Sequence, residues 1–313
     1  MSVHADPLND VLSLVGATSS ISAGLVAGGD WAVRFEPPPA VKFNAVRRGS
    51  CLLLAEGAVY PLSEGDCFLL TRPVAFTLAS AVDVPTQPAR PLFAAAADGV
   101  ARAGTGDDVL LIGGRFGFGE RAQELLLDSL PPVLYVPGST PAAATVRWAL
   151  DQIDRELRDH PLASTLVAEH LALVMLIHLL RQHLATSPPA AGWLAGLADP
   201  VVGPALRAMH GKPEYAWTVA DLAAVAAVSR SSLAARFKQV VGQGPLDYLT
   251  HWRLELAAAA LRSGDKTVAV IAREVGYGSE SALSTAFKRV NGLSPRAYRA
   301  SRAAPARAPS RPS

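Results

Sequence analysis

Two short stretches near the end of the chain carry the same kind of chemistry at the same spacing. Ser231, Ala234, Ala235 and Lys238 fall on one side of a helical pattern, and Glu280, Ser281, Ser284, Thr285 and Lys288 do so again further on. Hydroxyl, carboxylate and ammonium groups gathered on one helix face are the groups that meet nucleic acid, at base edges and at phosphates. Both stretches lie inside a repeat. Ser229, Leu233, Phe237, Lys238, Val240, Gly242, Pro245 and Tyr248 recur 50 residues later as Ser279, Leu283, Phe287, Lys288, Val290, Gly292, Pro295 and Tyr298. A fixed period of this size marks two copies of one supersecondary unit.

Each copy reads as a helix, a tight turn and a second helix, a helix-turn-helix whose second helix enters the DNA major groove. The first is preceded by a helix at about Pro200–His210. Thr218, with Asp221 three residues on, offers a capping box. Val219, Leu222, Ala223 and Ala226 then form an inner face, and Ala227-Val228 makes the turn. Ser229 caps a helix to about Val241, with Leu233, Phe237 and Val240 facing in. A helix over Pro245–Arg262, with Leu249, Trp252, Leu256 and Leu261 as its apolar residues, joins the copies. In the second copy Thr267 caps a helix through Val275, and Gly276 supplies the turn, where a left-handed backbone costs glycine least. The second reading helix spans Ser279–Val290, and Pro295 opens a last short helix.

Charge is distributed unevenly. Residues 204–313 hold 16 Lys and Arg against 7 Asp and Glu, whereas residues 1–203 hold 13 against 20. A basic C-terminal part on an acidic N-terminal part is the electrostatic footprint of a nucleic-acid-binding domain. Within residues 21–100 short apolar runs, Trp31–Phe35, Lys42–Val46, Cys51–Leu54 and Cys67–Leu70, are punctuated by Gly, Pro and Asp clusters. They predict a small antiparallel barrel, extending to about residue 140. From Thr145 the period becomes helical, with helices over 142–159 and 164–184; the second is apolar around most of its circumference and is expected to be a dimerisation element. Ala185–Ala191, with Ser187-Pro188-Pro189, reads as a linker or loop, and the tail 301–313 as disordered. The two cysteines, Cys51 and Cys67, fall in strands as buried, inert thiols. The most apolar run, Leu171–Leu180, is too short to span a bilayer, which needs about 20 residues. With no signal-peptide pattern at the start, the expected location is cytoplasmic.

The run Ile271-Ala272-Arg273-Glu274-Val275-Gly276-Tyr277, followed by Phe287-Lys288-Arg289 and Gly292-Leu293-Ser294-Pro295-Arg296-Ala297-Tyr298-Arg299, resembles the AraC/XylS family of transcriptional regulators, over about residues 200–299. The resemblance implies sequence-specific binding of double-stranded DNA by both reading helices. It implies base-edge contacts from Ser231, Ala234, Ala235, Glu280, Ser281, Ser284 and Thr285, and phosphate contacts from Arg230, Arg236, Lys238, Lys288 and Arg289. The expected partners beside DNA are a second copy of the chain, through the apolar helix 164–184, and RNA polymerase. Ala227 departs from the pattern, since glycine is common there.

Residues 1–190 resemble the cupin-type N-terminal domain of a subgroup of these regulators. The pieces that carry this are Phe43-Asn44-Ala45-Val46-Arg47-Arg48-Gly49, Leu62-Ser63-Glu64-Gly65-Asp66, Leu110–Phe116, Leu130–Gly138 and Asp199-Pro200-Val201-Val202-Gly203. A small-molecule effector is implied, with Trp31, Phe35, Phe43, Phe68, Arg72 and Phe76 as candidate lining. Metal cupins bind through converging imidazoles and a carboxylate. None of the seven histidines lies between residues 21 and 140; Asn44 and Phe76 stand where the subgroup often has histidine. The expectation is therefore no metal, no cofactor and no enzymatic activity. The fold expected is α+β: a cupin-like barrel with a helical dimerisation segment in 1–190, and an all-α domain with two helix-turn-helix units in 191–300. Two alternatives remain: a constitutive DNA-binding regulator whose barrel is only a dimerisation scaffold, and a cupin enzyme fused to a DNA-binding domain.

Overall fold

The computed structural model describes residues 6–97, 99–119, 126–140, 143–186, 191–264 and 266–303. The chain divides into two compact units, Val15–Pro189 and Met1–Leu14 with Ala190–Ser313. The first helix, α1 (Pro7–Leu14), therefore belongs with the C-terminal residues, whereas the sequence reading placed residues 1–190 together.

Strands β1 (Thr18–Gly28), β2 (Ala32–Phe35), β3 (Val41–Arg48), β4 (Ser50–Ala55), β5 (Ala58–Ser63), β6 (Cys67–Leu70), β7 (Phe76–Ala79) and β8 (Gln87–Pro88) come first. Helix α2 (Ala89–Ala94) separates them from β9 (Val100–Gly104), β10 (Val109–Gly117) and β11 (Val133–Val136). One sheet runs β11-β6-β3-β10-β1-β9 and the other β5-β4-β7-β2-β8. Side chains alternate between the faces of a strand. Leu25, Val46, Phe68, Leu70 and Leu111 of the larger sheet thereby meet Val33, Leu53, Leu62, Phe76 and Leu78 of the smaller in one buried core. Asp66 locks the β5–β6 turn from within. Its carboxylate accepts from Ser63 N (2.8 Å), Tyr135 Oη (2.9 Å) and Gly138 N (2.7 Å), so this buried charge is fully hydrogen-bonded.

The larger sheet is buried on its other face as well, which is why Cys67–Leu70 shows no polar alternation. There α3 (Ala144–Asp159) turns Val146, Ala149, Leu150 and Ile153 inward. Arg47 on β3 holds Asp151 of α3 at 2.6 Å. Helix α4 (Ser164–Thr186) packs on α3, β1 and β11 through a face that includes Ala168, Ala172, Met175, Leu176 and Leu179. By length and composition alone α4 could cross a membrane, but that face is committed to the sheet. Leu166, Val167 and Val174 on α4, and Trp148 on α3, are exposed. The two free thiols are buried on different faces. Cys51 joins the core between the sheets, and Cys67 alternates with Phe68 onto the helix-covered side. Burial, with Asp66 nearby, pushes both up to about 12.

The C-terminal unit is helical: α5 (Trp193–Ala198), α6 (Val202–Gly211), α7 (Val219–Val225), α8 (Arg230–Val241), α9 (Pro245–Ser263), α10 (Val268–Glu274), α11 (Glu280–Asn291) and α12 (Pro295–Ala303). Residues 187–190 of the expected linker lie outside the described residues. So do residues 304–313 of the expected disordered tail, while 301–303 continue α12. Helix α1 packs on α6 and α9 with Leu8, Val11 and Leu12 buried. At that seam His210 stacks on Trp252 with centroids 4.1 Å apart; its Nε2 is 2.8 Å from Tyr248 Oη and its Nδ1 3.3 Å from Asp10. Burial holds the imidazole below its ordinary value, against the opposing pull of Asp10 and Asp6.

Candidate nucleic-acid interface

Local capping chemistry builds each of the two units. At the start of α7, Thr218 Oγ1 accepts from Asp221 N (3.1 Å) and Asp221 Oδ2 accepts from Thr218 N (3.0 Å), a reciprocal capping box. The helix ends in a Schellman turn: Val228 N–H donates to Ala223 O (3.0 Å) and Ala227 N–H to Ala224 O (3.1 Å). That motif needs a left-handed residue, and Ala227 supplies it at φ 55°. In the second unit Tyr277 N–H donates to Ala272 O (2.7 Å) and Gly276 N–H to Arg273 O (3.1 Å), with Gly276 at φ 84°. Ala227 and Gly276 are thus the equivalent positions, one residue short of the repeat spacing. Gly278, between Tyr277 and Ser279, is the extra residue that restores it.

Helices α8 and α11 start and stop alike. Ser229 Oγ accepts from Ser232 N (3.2 Å) and Ser279 Oγ from Ala282 N (3.1 Å). Gly242 and Gly292 close them with left-handed caps. Leu233, Leu283, Phe237 and Phe287 are fully buried. Tyr248 meets Phe237 edge-on at 5.8 Å, and Tyr298 meets Phe287 edge-on at 5.3 Å; such pairs add about 0.5–1.5 kcal/mol beyond burial. The recurring residues therefore cap, close and bury. Lys238 and Lys288 are the long polar pair among them that stays in solvent.

The outward positions are placed as follows. Arg230, Ser231, Ala235, Arg236 and Lys238 are exposed on α8, with Ala234 half-buried. On α11 Ser281, Thr285, Lys288 and Arg289 are exposed, with Glu280 and Ser284 half-buried. Three of these have partners that spacing alone did not reveal. Arg236, expected at a phosphate, pairs with Asp199: its Nε and Nη2 lie 2.8 and 2.7 Å from Oδ2, and its Nη1 donates to Gln239 Oε1 at 3.1 Å. Asp199 also caps α6, its Oδ1 accepting from Val201 N and Val202 N at 2.9 Å each. Burial pushes this carboxyl up, but the two N–H groups and Arg236 outweigh it and hold it below the ordinary value. Glu280 accepts from Arg296 Nη2 at 3.0 Å. The Ser231 hydroxyl is 3.0 Å from that of Ser229, within the cap. An aspartate just before Pro200 and a helix start was the available signal for Asp199; the Arg296 contact had none.

The candidate effector residues do not converge. Trp31, Phe68 and Phe76 belong to the core between the sheets, and Phe35 stacks on Phe76 at 4.4 Å. Phe43 lies on the opposite face of the larger sheet, stacked on Phe116 at 5.0 Å. Arg72 is exposed, in a bend after β6. Among the described residues no group of three His, Cys, Asp or Glu side chains is placed to hold a metal ion.

Residues 6–185 match the Cupin family and residues 222–301 the Helix-turn-helix domain family. A putative AraC-like transcription regulator of Streptomyces lividans is 63% identical over 297 residues, covering 94% of this chain and 98% of its own. One of the same description from Streptomyces antibioticus is 62% identical over the same shares. Among solved structures, the DNA-binding domain of AdpA in complex with a target DNA is 35% identical, covering 33% of this chain and 92% of that one, at a TM-score of 0.31.

Proposed function

The chain belongs to the AraC-like transcription regulators, DNA-binding proteins with a cupin N-terminal part and a helix-turn-helix C-terminal part, and on that premise we propose how its parts divide the work. Its relatives are named as regulators of transcription rather than as enzymes. The outward faces of α8 and α11 are the readers. Arg230, Lys238, Lys288 and Arg289 meet phosphates, which position the protein without specifying sequence. Ser281, Ser284, Thr285 and Glu280 read base edges, and Ala234, Ala235 and Ser231 contribute only shallow contacts. The observation that carries this is the paired geometry: two helices with matching caps, buried Leu-Phe pairs and exposed Lys238 and Lys288. Arg236 falls out of the phosphate set, since Asp199 occupies its guanidinium.

The barrel acts as the receptor for a small-molecule effector, and the exposed apolar residues Leu166, Val167 and Val174 on α4 support a homodimer formed through α3 and α4. Effector binding then biases the arrangement of the readers across the dimer. Contact with RNA polymerase and a cytoplasmic location accompany this role. Binding to a selected operator, measured against salt, tests the assignment. Lys238→Ala and Lys288→Ala each weaken binding on all sequences and reduce the slope of log K against log salt by about 1. A changed base preference with an unchanged slope refutes the phosphate role.

A further inference from the structure

Two cations and a buried amide share one face of the larger sheet. Register places Lys42 opposite Leu70 and Arg115, and Asn44 opposite Phe68 and Gly113. Directly paired residues point to the same face. Because Phe68 and Leu70 lie in the core between the sheets, Lys42, Asn44 and Arg115 turn to that same face of the larger sheet, Asn44 buried, Lys42 half-buried and Arg115 exposed. On β1, Ser22 is opposite Gly113 and Ser20 opposite Arg115, which extends the polar rows by one strand. Lys42 Nζ is 3.0 Å from Ser22 Oγ. A Cβ on Gly113 would lie 2.5 Å from Asn44 Oδ1 and 3.0 Å from Lys42 Nζ, so both polar groups fold over the one position without a side chain.

Two features of this cluster point outward to a ligand. Asn44 is 6% exposed, and its Nδ2 donor has no partner among the described residues. Lys42 is drawn well down, to about 8, first by burial and then by the like charge of Arg115, and no carboxylate among the described residues offsets either. A desolvated ammonium near a like-charged guanidinium, with only a neutral hydroxyl for partner, is costly. One planar anion would satisfy the ammonium, the guanidinium and the idle amide together.

We propose that Lys42, Arg115 and Asn44, with Ser22, form the head-group site for a small organic carboxylate, whose apolar body lies toward Phe68 and Leu70. This deepens the effector reading above and rests on it for its regulatory meaning. As a binding site it stands on its own.

The test uses the full chain, labelled at the lysine ε-carbons, with benzoate and hexanoate as probes and their amides as uncharged controls. The chain has five lysines, Lys42, Lys212, Lys238, Lys266 and Lys288, so Lys42→Met assigns the Lys42 resonance. The expected result is that a carboxylate moves the Lys42 titration to higher pH and raises the thermal midpoint, while its amide does neither. Lys42→Met, which removes a buried charge and should fold, abolishes the carboxylate-specific stabilisation, and Asn44→Leu weakens it severalfold. Equal stabilisation by acid and amide, an unmoved Lys42 titration, or full carboxylate binding in Lys42→Met overturns the site. Carboxylate binding at Lys42 with no change in operator affinity leaves the site standing and refutes the effector reading instead.

Discussion

The two turns inside the reading units differ by a single chemical choice, and exchanging it predicts opposite outcomes. Ala227 holds a left-handed backbone at φ 55° where its counterpart is Gly276 at φ 84°. An L-residue in that region costs about 1–2 kcal/mol relative to glycine. Glycine's greater freedom in the unfolded chain returns about 0.4–1 kcal/mol of that. Ala227→Gly should therefore stabilise the first unit by roughly 0.5–1 kcal/mol. Gly276→Ala pays the left-handed penalty and a steric one. Its Cβ would lie 2.8 Å from Glu214 Cα and carbonyl oxygen, and 2.7 Å from Arg253 Nη2. Arg253 cannot swing away freely, because it donates to the carbonyls of Pro213 (2.6 Å) and Tyr215 (2.7 Å). Overpacking of this kind adds about 1–3 kcal/mol, for a net loss of roughly 2–4 kcal/mol. Amide hydrogen exchange in the full chain reads each unit separately, at residues 219–241 and 268–291. A loss of protection in Ala227→Gly, or a change under about 1 kcal/mol in Gly276→Ala, refutes the equivalence of the two turns.

Three further perturbations have signs set by the structure. Lys42 has a folded value of about 8, below its ordinary 10.5. Between those pH values the unfolded chain carries the extra proton, so stability of the barrel unit rises with pH, by at most about 3 kcal/mol; urea unfolding across this range should show the rise in wild type and lose it in Lys42→Met. Asp199→Ala removes the α6 cap and the Arg236 ion pair, and should cost about 1–2 kcal/mol in chemical denaturation, while Arg236→Ala leaves the salt slope of DNA binding unchanged. Leu166→Glu with Val174→Glu alters residues that are already exposed, so sedimentation should show monomers with an unaltered circular dichroism spectrum; a persistent dimer places the interface elsewhere.

Much of the C-terminal unit was legible in the residues because the forces that shape it are local. Thr218 with Asp221, Ser229, Thr267, Ser279 and Gly276 act within one turn of their own positions, so spacing was enough to place the caps and the turns they make. The helical face of Val146, Ala149, Leu150 and Ile153 was legible for the same reason, since burial on one side imposes its period. The strands were a different case. Both faces of the larger sheet are buried, so alternation could separate Phe43 from Asn44 without saying which of them faced the interior. Folding brought Asn44 and Lys42 inside and sent Phe43 to the helices. It likewise joined Asp199 to Arg236 across 37 positions and Asp10 to His210 across 200. Pairings at such separations depend on which surfaces the packed core brings together. Local periodicity carries no record of them, and for that reason the backbone of α8 and α11 could be drawn from the sequence, while the grouping of Lys42 with Asn44 and the contact of Arg236 with Asp199 emerged only with the tertiary fold.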